Sequence, residues 1–260
     1  MHGLRYDRYG ECIINKKKLM VGLALIVLWL GVGEANVHAQ VGYEHCVYLP
    51  LVMKPAPPIT DRLVNAGFEG WYTHDTLYGE RPVVLTPDGW VTWWRESDAE
   101  DMVQPEVVRP ISTNDPVYVE LVPRIHGGSQ AMQLYNWGTY EAGFYQKVDA
   151  LPPGARAIFS AYGHAWSCNE DLPEGPYSCG DPYGFLLKVG IDPTGGEDPW
   201  ADSVIWSADA YIYDAYEKVG PISTLVGEDG AVTVFIYSYA KWPVKHNEAY
   251  WDDAELIVQP

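Results

Sequence analysis

Phenylalanine is scarce in this chain of 260 residues: five Phe stand against 11 Trp and 19 Tyr. Phe packs into a core without leaving a polar atom to satisfy, whereas indole and phenol each carry one, so the imbalance excludes a purely core role for the rings. Basic residues are also few, 17 Lys and Arg against 35 Asp and Glu, for a net charge of −18. Such a surface repels phosphate backbones and anionic lipid, which excludes nucleic acid and membrane surfaces and leaves neutral sugars and cations as partners. There is no Gly-x-Ser-x-Gly elbow and no phosphate loop, and no pair among the seven His has the spacing that converges on zinc. Amphipathic helical stretches and internal repeats are missing as well.

The one long apolar run lies near the start. Lys16-Lys17-Lys18 lead into Leu19 to Gly33, a run shorter than the roughly 20 apolar residues of a membrane span. It reads as the core of a signal peptide cleaved after Ala39, where Val37-His38-Ala39 gives a small-x-small pattern, or after Ala35; a retained anchor helix is the competing reading. Cleavage after Ala39 removes five basic and three acidic residues, leaving a mature charge of about −20. Gln40 to Asp61, with Tyr48-Leu-Pro-Leu-Val52 and Pro55-Ala-Pro-Pro58, favours extended chain and reads as a tether. The expected organisation is a signal peptide at 1–39, a Pro-rich linker at 40–61 and one domain at 62–260. Its expected location is secreted or at the cell surface, as a monomer with no membrane insertion after cleavage.

Of four cysteines, Cys12 leaves with the leader, and Cys46 in the tether is free, paired with another chain, or without consequence. Cys168 and Cys179 bracket the Pro/Gly-rich stretch Asn169 to Ser178. In an oxidising compartment they are expected to form a local disulfide; zinc is the rival, with two thiols and no clustered His.

From Arg62 onward the pattern is strand after strand. Strands are predicted at Val91 to Arg95, Val117 to Val122, Ala131 to Asn136, Gly143 to Val148, Ala157 to Tyr162, Phe185 to Ile191, Val204 to Ser207, Val232 to Tyr239 and Ala249 to Val258. Turn signals such as Pro87-Asp-Gly89, Pro152-Pro-Gly154, Thr194-Gly-Gly196 and Glu228-Asp-Gly230 separate them. Many short strands punctuated by Gly and Pro predict an all-β antiparallel sandwich or barrel.

The two ends of this region carry a recognisable pattern: Leu63-Val-Asn-Ala-Gly-Phe-Glu69 with Trp71 behind it, and Tyr250-Trp-Asp-Asp-Ala-Glu-Leu256 at the finish. With His126-Gly-Gly-Ser-Gln-Ala131, Tyr145-Gln-Lys-Val148 and Leu151-Pro-Pro-Gly154 between them, they resemble the galactose-binding-like jelly roll of carbohydrate-binding modules related to families 4, 9 and 22. The likeness covers about 62–258 and implies an antiparallel jelly-roll β-sandwich. Trp166 to Tyr183, with its cysteine pair, and the Gly190 to Gly196 loop are longer than the minimal module, so ligand choice does not carry over.

First and last strands of a jelly roll can lie side by side, which would bring Glu69 towards Asp252 and Asp253. Such a cluster of hard carboxylates invites calcium, and the resemblance implies a structural Ca2+ there; the alternative is solvated acids that blunt an outer strand.

Alternation sorts the rings. Met132 and Leu134 look inward, which puts Gln133, Tyr135 and then Trp137 on the opposite face; with Val232, Val234 and Ile236 in the core, Phe235, Tyr237 and Tyr239 share the other face. Sugars stack their C–H faces on such rings and bond their hydroxyls to nearby polar groups. The expected carbohydrate-binding residues are Trp94, Gln133, Tyr135, Trp137, Trp166, Tyr237 and Tyr239, with Trp93 and Trp242 as further rings, and Trp71, Trp90 and Trp251 as packing residues. A platform shared by Tyr135, Trp137, Tyr237 and Tyr239 requires their two strands to lie in one sheet. The expected function is non-catalytic binding of a polysaccharide or glycan. A module recognising protein is the alternative, and a sandwich glycoside hydrolase a third, although Trp251-Asp-Asp253-Ala-Glu255 lacks a leading Glu.

Overall fold

In the computed structural model the described residues are 61–75, 84–97, 104–115 and 122–259, with the backbone alone of 5–6, 12–13, 36–40, 46–50 and 73–75. The chain divides into two units, 1–58 and 59–260. In the first, β1 (Arg5–Tyr6) pairs with β2 (Cys12–Ile13), and β3 (Asn36–Gln40) with β4 (Cys46–Pro50). Most of the expected leader and tether, and the Cys46 thiol, lie outside the described residues. The second unit takes in Asp61, whose carboxylate accepts from the amides of Leu63 at 3.1 Å and Leu256 at 3.0 Å.

This second unit is all-β among its described residues. Its strands are β5 (Tyr72–Asp75), β6 (Val84–Pro87), β7 (Val91–Trp94), β8 (Val107–Ser112), β9 (Gln130–Tyr135), β10 (Tyr140–Val148), β11 (Arg156–Cys168), β12 (Phe185–Asp192), β13 (Ile205–Trp206), β14 (Glu217–Leu225), β15 (Val232–Ala240) and β16 (His246–Gln259). No helix among the described residues is long and apolar enough to cross a membrane.

They form two sheets, one ordered β13-β12-β15-β10-β7 and the other β14-β11-β16-β9-β8-β6-β5. From β9 onward the chain passes from one sheet to the other at nearly every connection, the wrapping of a jelly roll. Strand-to-strand pairing is antiparallel except at the β6–β8 bridge, Val84 to Val108, and Ala165 of β11 makes a second parallel bridge to Tyr213 outside the strands. The core lies between the sheets and follows the period of two: Tyr140, Ala142 and Phe144 of β10, Val232, Val234 and Ile236 of β15, Met132 and Leu134 of β9, and in β16 Ala249 and Trp251, then, past a register shift, Ala254, Leu256 and Val258. Turns fall where the glycine signals placed them, with Gly89 at φ 82° and Gly154 at φ 78°.

Several expectations change. Strand β14 was not predicted because Gly220 and Pro221 interrupt it; it is tolerated because β14 pairs only with β11, at the sheet edge, with a register shift between Phe159 and Ala161. Strand β8, holding Pro110, was missed for the same reason. Strands β11 and β16 run on to Cys168 and back to His246, where those two residues pair. Of the predicted strand at 117–122, only Val122 is described, and it is buried. Trp90 and Trp251 pack in the core as expected, but Trp71 is 83% exposed and cannot be a packing residue.

Candidate functional site

The terminal motifs meet. Ala254 N donates to Ala66 O at 2.9 Å and Arg62 N to Leu256 O at 3.0 Å, tying 62–69 to the last strand. Asp252 accepts from the amides of His126 at 2.9 Å and Gly127 at 3.0 Å, Asp253 contacts His126 Nδ1 at 2.6 Å, and Glu69 accepts from Ser129 N, Ser129 Oγ and Gln130 N at 2.6, 2.6 and 3.0 Å. All three carboxylates therefore grip one loop, 126–130. Gly127 and Gly128 make the grip possible, since a methyl group on either would collide with the carboxylate of Asp253 or Glu69.

Burial pushes the Asp252 carboxyl up to about 7, against the amides of Gly127 and His126 and with the charge of Asp253 adding to it. Glu69 goes the other way: burial opposes its charge, but the Ser129 and Gln130 donors outweigh that and hold it low. Among the described residues no group of three His, Cys, Asp or Glu converges as a metal cluster. A hard cation here would be held by Asp252, which is fully buried and accepts only from backbone amides, together with Asp253, whose carboxylate also contacts His126 Nδ1. Glu69, which like Asp252 accepts three hydrogen bonds, grips the Ser129–Gln130 end of the same loop.

The rings predicted for binding fall on two separate surfaces. On the outer face of the seven-stranded sheet, Gln133 is buried and serves structure: it accepts from Arg109 Nε at 2.9 Å and donates to Glu248 at 2.8 Å. Trp166 stacks on His246 with centroids 3.8 Å apart, its Nε1 donates to Tyr177 O at 3.2 Å, and the buried Arg124 lies 4.2 Å over its ring. Tyr135 and Trp137 meet edge to face at 6.3 Å, and Trp137 is 54% exposed. The expected bridge between Cys168 and Cys179 is present and closes the loop beside Trp166.

Tyr237 and Tyr239 belong to β15, in the five-stranded sheet, so they share no platform with Tyr135 and Trp137. Trp94 is corrected as well: it packs against the main core, and its neighbour Trp93 faces outward with Leu186 and Tyr237. Around these stand Tyr145, Trp206, Tyr211 and Tyr239. Trp93 and Tyr237 lie 5.8 Å apart, Trp206 and Tyr237 5.4 Å, and Trp200, from the β12–β13 loop, stands on Trp93 edge-on at 5.5 Å.

Two glycines floor this aromatic patch. A Cβ at Gly143 would lie 3.0 Å from the Trp93 ring, and one at Gly190 2.7 Å from the Trp206 ring. Polar groups edge it in pairs: Arg95 with Glu141 at 3.0 Å, Lys188 with Asp209 at 2.8 Å, and Lys147 with Glu197 at 4.0 Å. Arg95 also lies 3.9 Å over the Trp200 ring. The Lys188 hydrogen bond holds Asp209 below the usual carboxylate range, while burial and the Glu141 charge raise the Tyr237 phenol. Trp93 and Tyr237 are themselves buried, so the surface that can stack a sugar ring is the exposed Trp200 with the half-buried Trp206, Tyr211 and Tyr239 around them, and the paired donors and acceptors can meet its hydroxyls. Trp200, Trp206, Tyr211 and Arg95 were not expected here; for the three rings the sequence signal was the ring excess itself, since the loop around Trp200 has no period to read and the strands predicted at 91–95 and 204–207 did not say which sheet they join.

No known family pattern and no curated protein matches the sequence. Solved structures with a similar fold include TmCBM61 in complex with β-1,4-galactotriose, at 15% identity over 76% of this chain and 97% of that one, TM-score 0.44. A cyclase from Fischerella sp. TAU matches at 15% identity over 76% and 96%, TM-score 0.47. The CBM22-1 xylan-binding domain of Paenibacillus barcinonensis Xyn10C matches at 12% identity over 80% and 98%, TM-score 0.40.

Proposed function

We propose that the domain is a carbohydrate-binding module that holds a polysaccharide or glycan on the outer face of its five-stranded sheet and leaves it chemically unchanged. The observation that carries this reading is the patch of Trp93, Trp200, Trp206, Tyr237 and Tyr239, built on glycines and edged by paired donors and acceptors. Its acids support binding over hydrolysis. Glu141 and Asp209 each face a cation, and the Lys188 hydrogen bond shifts Asp209 downward, the opposite direction from the raised acid that glycoside hydrolysis uses.

The reading includes export to an oxidising compartment, supported by the apolar leader and by the Cys168–Cys179 bridge. It also includes a structural calcium at Asp252 and Asp253, supported by the buried, cation-free carboxylate of Asp252 beside its acidic neighbour. The test is retention of the purified protein on insoluble galactan, xylan and β-glucan, with reducing-sugar release followed in parallel. Retention without release is expected; release, or no retention on any of the three, would overturn the proposal.

A further inference from the structure

The aromatic surface continues past the end of the sheet. Tyr211, part of the patch, meets Tyr183 edge to face at 5.0 Å, and Tyr183 is 62% exposed. Beside it stands Trp242, 54% exposed, yet its indole is fixed: Nε1 donates to Asp181 Oδ2 at 2.8 Å, and the other Asp181 oxygen accepts from Tyr183 N at 2.9 Å. The Trp242 ring edge lies 3.2 Å from where a Cβ on Gly184 would stand, and Lys241 N donates to Gly184 O at 2.9 Å, locking the two loops together. Lys241 Nζ stands 4.9 Å over the Tyr211 ring, closing the link back to the patch.

Holding a large ring still costs side-chain entropy, which burial ordinarily offsets. Trp242 is held still while more than half its surface faces water, the condition of a ring prepared for a partner. Trp242 follows Tyr237 by five positions; the first three lie along β15, which ends at Ala240, and span about 10 Å of extended chain before the bend at Trp242, longer than a single sugar ring.

We infer that the binding surface extends from the sheet onto Tyr183 and Trp242, and that its ligand is a run of consecutive units along a neutral polysaccharide, not one terminal sugar. The inference rests on the reading of the sheet face given above. Neutrality follows from the pairing of Arg95 and Lys188 with acids and from Asp181 and Asp209, whose charges face Lys241, so that no described cation of this surface stands without an acid beside it.

The experiment is isothermal titration of the full chain with soluble galactan, xylan and β-glucan and with their oligosaccharides of increasing length. Wild type is compared with Trp242→Ala, Tyr183→Ala and Trp200→Ala, with Trp71→Ala, which removes an exposed ring just before β5, as a control, and with a melt of each. Wild-type affinity should rise with chain length. Trp242→Ala and Tyr183→Ala should lose about tenfold or more on the polymer, lose nothing on the shortest oligosaccharide that binds, and melt as wild type does. A length dependence unchanged in both variants, with binding lost in Trp200→Ala, would overturn the extension and leave the sheet-face reading standing. Binding unaffected by Trp200→Ala but lost in Trp242→Ala would overturn both, as would failure of wild type to bind any of the three. Should Trp242→Ala alone fail to fold, Tyr183→Ala and Asp181→Ala, which frees the indole without removing it, decide the matter in the same way.

Discussion

The indole of Trp206 lies against the backbone of Gly190 so closely that a Cβ there would come within 2.7 Å of the ring. Because that contact sets the height of Trp206 beside Tyr237 and Phe235, Gly190→Ala should lift the ring from the sheet. The expected result is a loss of about 1–3 kcal/mol of stability, the usual effect of overpacking, with weaker glycan binding. A thermal melt and a titration check it; a variant equal to wild type in both would show that the patch tolerates the shift and that the height of Trp206 does not matter to binding.

Calcium at Asp252 and Asp253 should act on stability, since a ligand held by the native state alone adds about 2.7 kcal/mol at a hundredfold excess over Kd. For a domain of this size that is roughly 5 to 11 °C, at about 2 to 4 °C per kcal/mol. EGTA should lower the melting temperature of wild type by that order and leave Asp252→Asn unmoved. An EGTA-insensitive wild type would remove the cation from the account.

His164 gives the fold an acid limit. It is fully buried between the rings of Tyr216 and Tyr250 with neither ring nitrogen hydrogen-bonded, and burial, with the Arg124 charge second, lowers its pKa from 6.5 to about 3. Between those two values the unfolded chain binds the proton and the folded one does not. Stability is therefore complete above about 6.5 and falls as pH drops towards 3, on the order of 1 kcal/mol for each pH unit. Asp252, raised in the fold, tilts the other way over part of this range, but it is common to both proteins in a comparison of wild type with His164→Gln. Denaturant melts at pH 7, 6, 5 and 4 should show a shallower acid slope in the variant. Parallel slopes would mean that His164 takes up its proton while folded.

Much of this arrangement was legible in the residues, and the parts that were not have a common cause. Alternation placed Tyr237 opposite Val234 and Ile236, and Tyr135 opposite Met132 and Leu134, as the structure has them. It could not say that one strand pairs through Glu248 and the other through Lys188, which is what sends them to different sheets. Side-chain period is local, whereas sheet membership depends on partners about a hundred or fifty residues away. Trp93 and Trp94 show the same limit: the pair must split between two faces, and only the Gly143 pairing decides which ring turns outward. Trp200 was unreadable because its loop has no period, and β14 because Pro221 at an edge looks like Pro in a turn.

The central claim is that the five-stranded sheet carries the ligand, and one titration addresses it directly. Trp200 is 43% exposed, so its removal should leave the fold intact, while loss of a stacking ring should cost about 2 kcal/mol of affinity. The measurement is calorimetric titration of Trp200→Ala and of Trp137→Ala, the exposed ring at the end of the other sheet, against whichever of galactan, xylan and β-glucan wild type retains. The account predicts about a 30-fold loss for Trp200→Ala, little change for Trp137→Ala, and wild-type melting for both. Full affinity in Trp200→Ala with loss in Trp137→Ala would place the ligand on the seven-stranded sheet and contradict it.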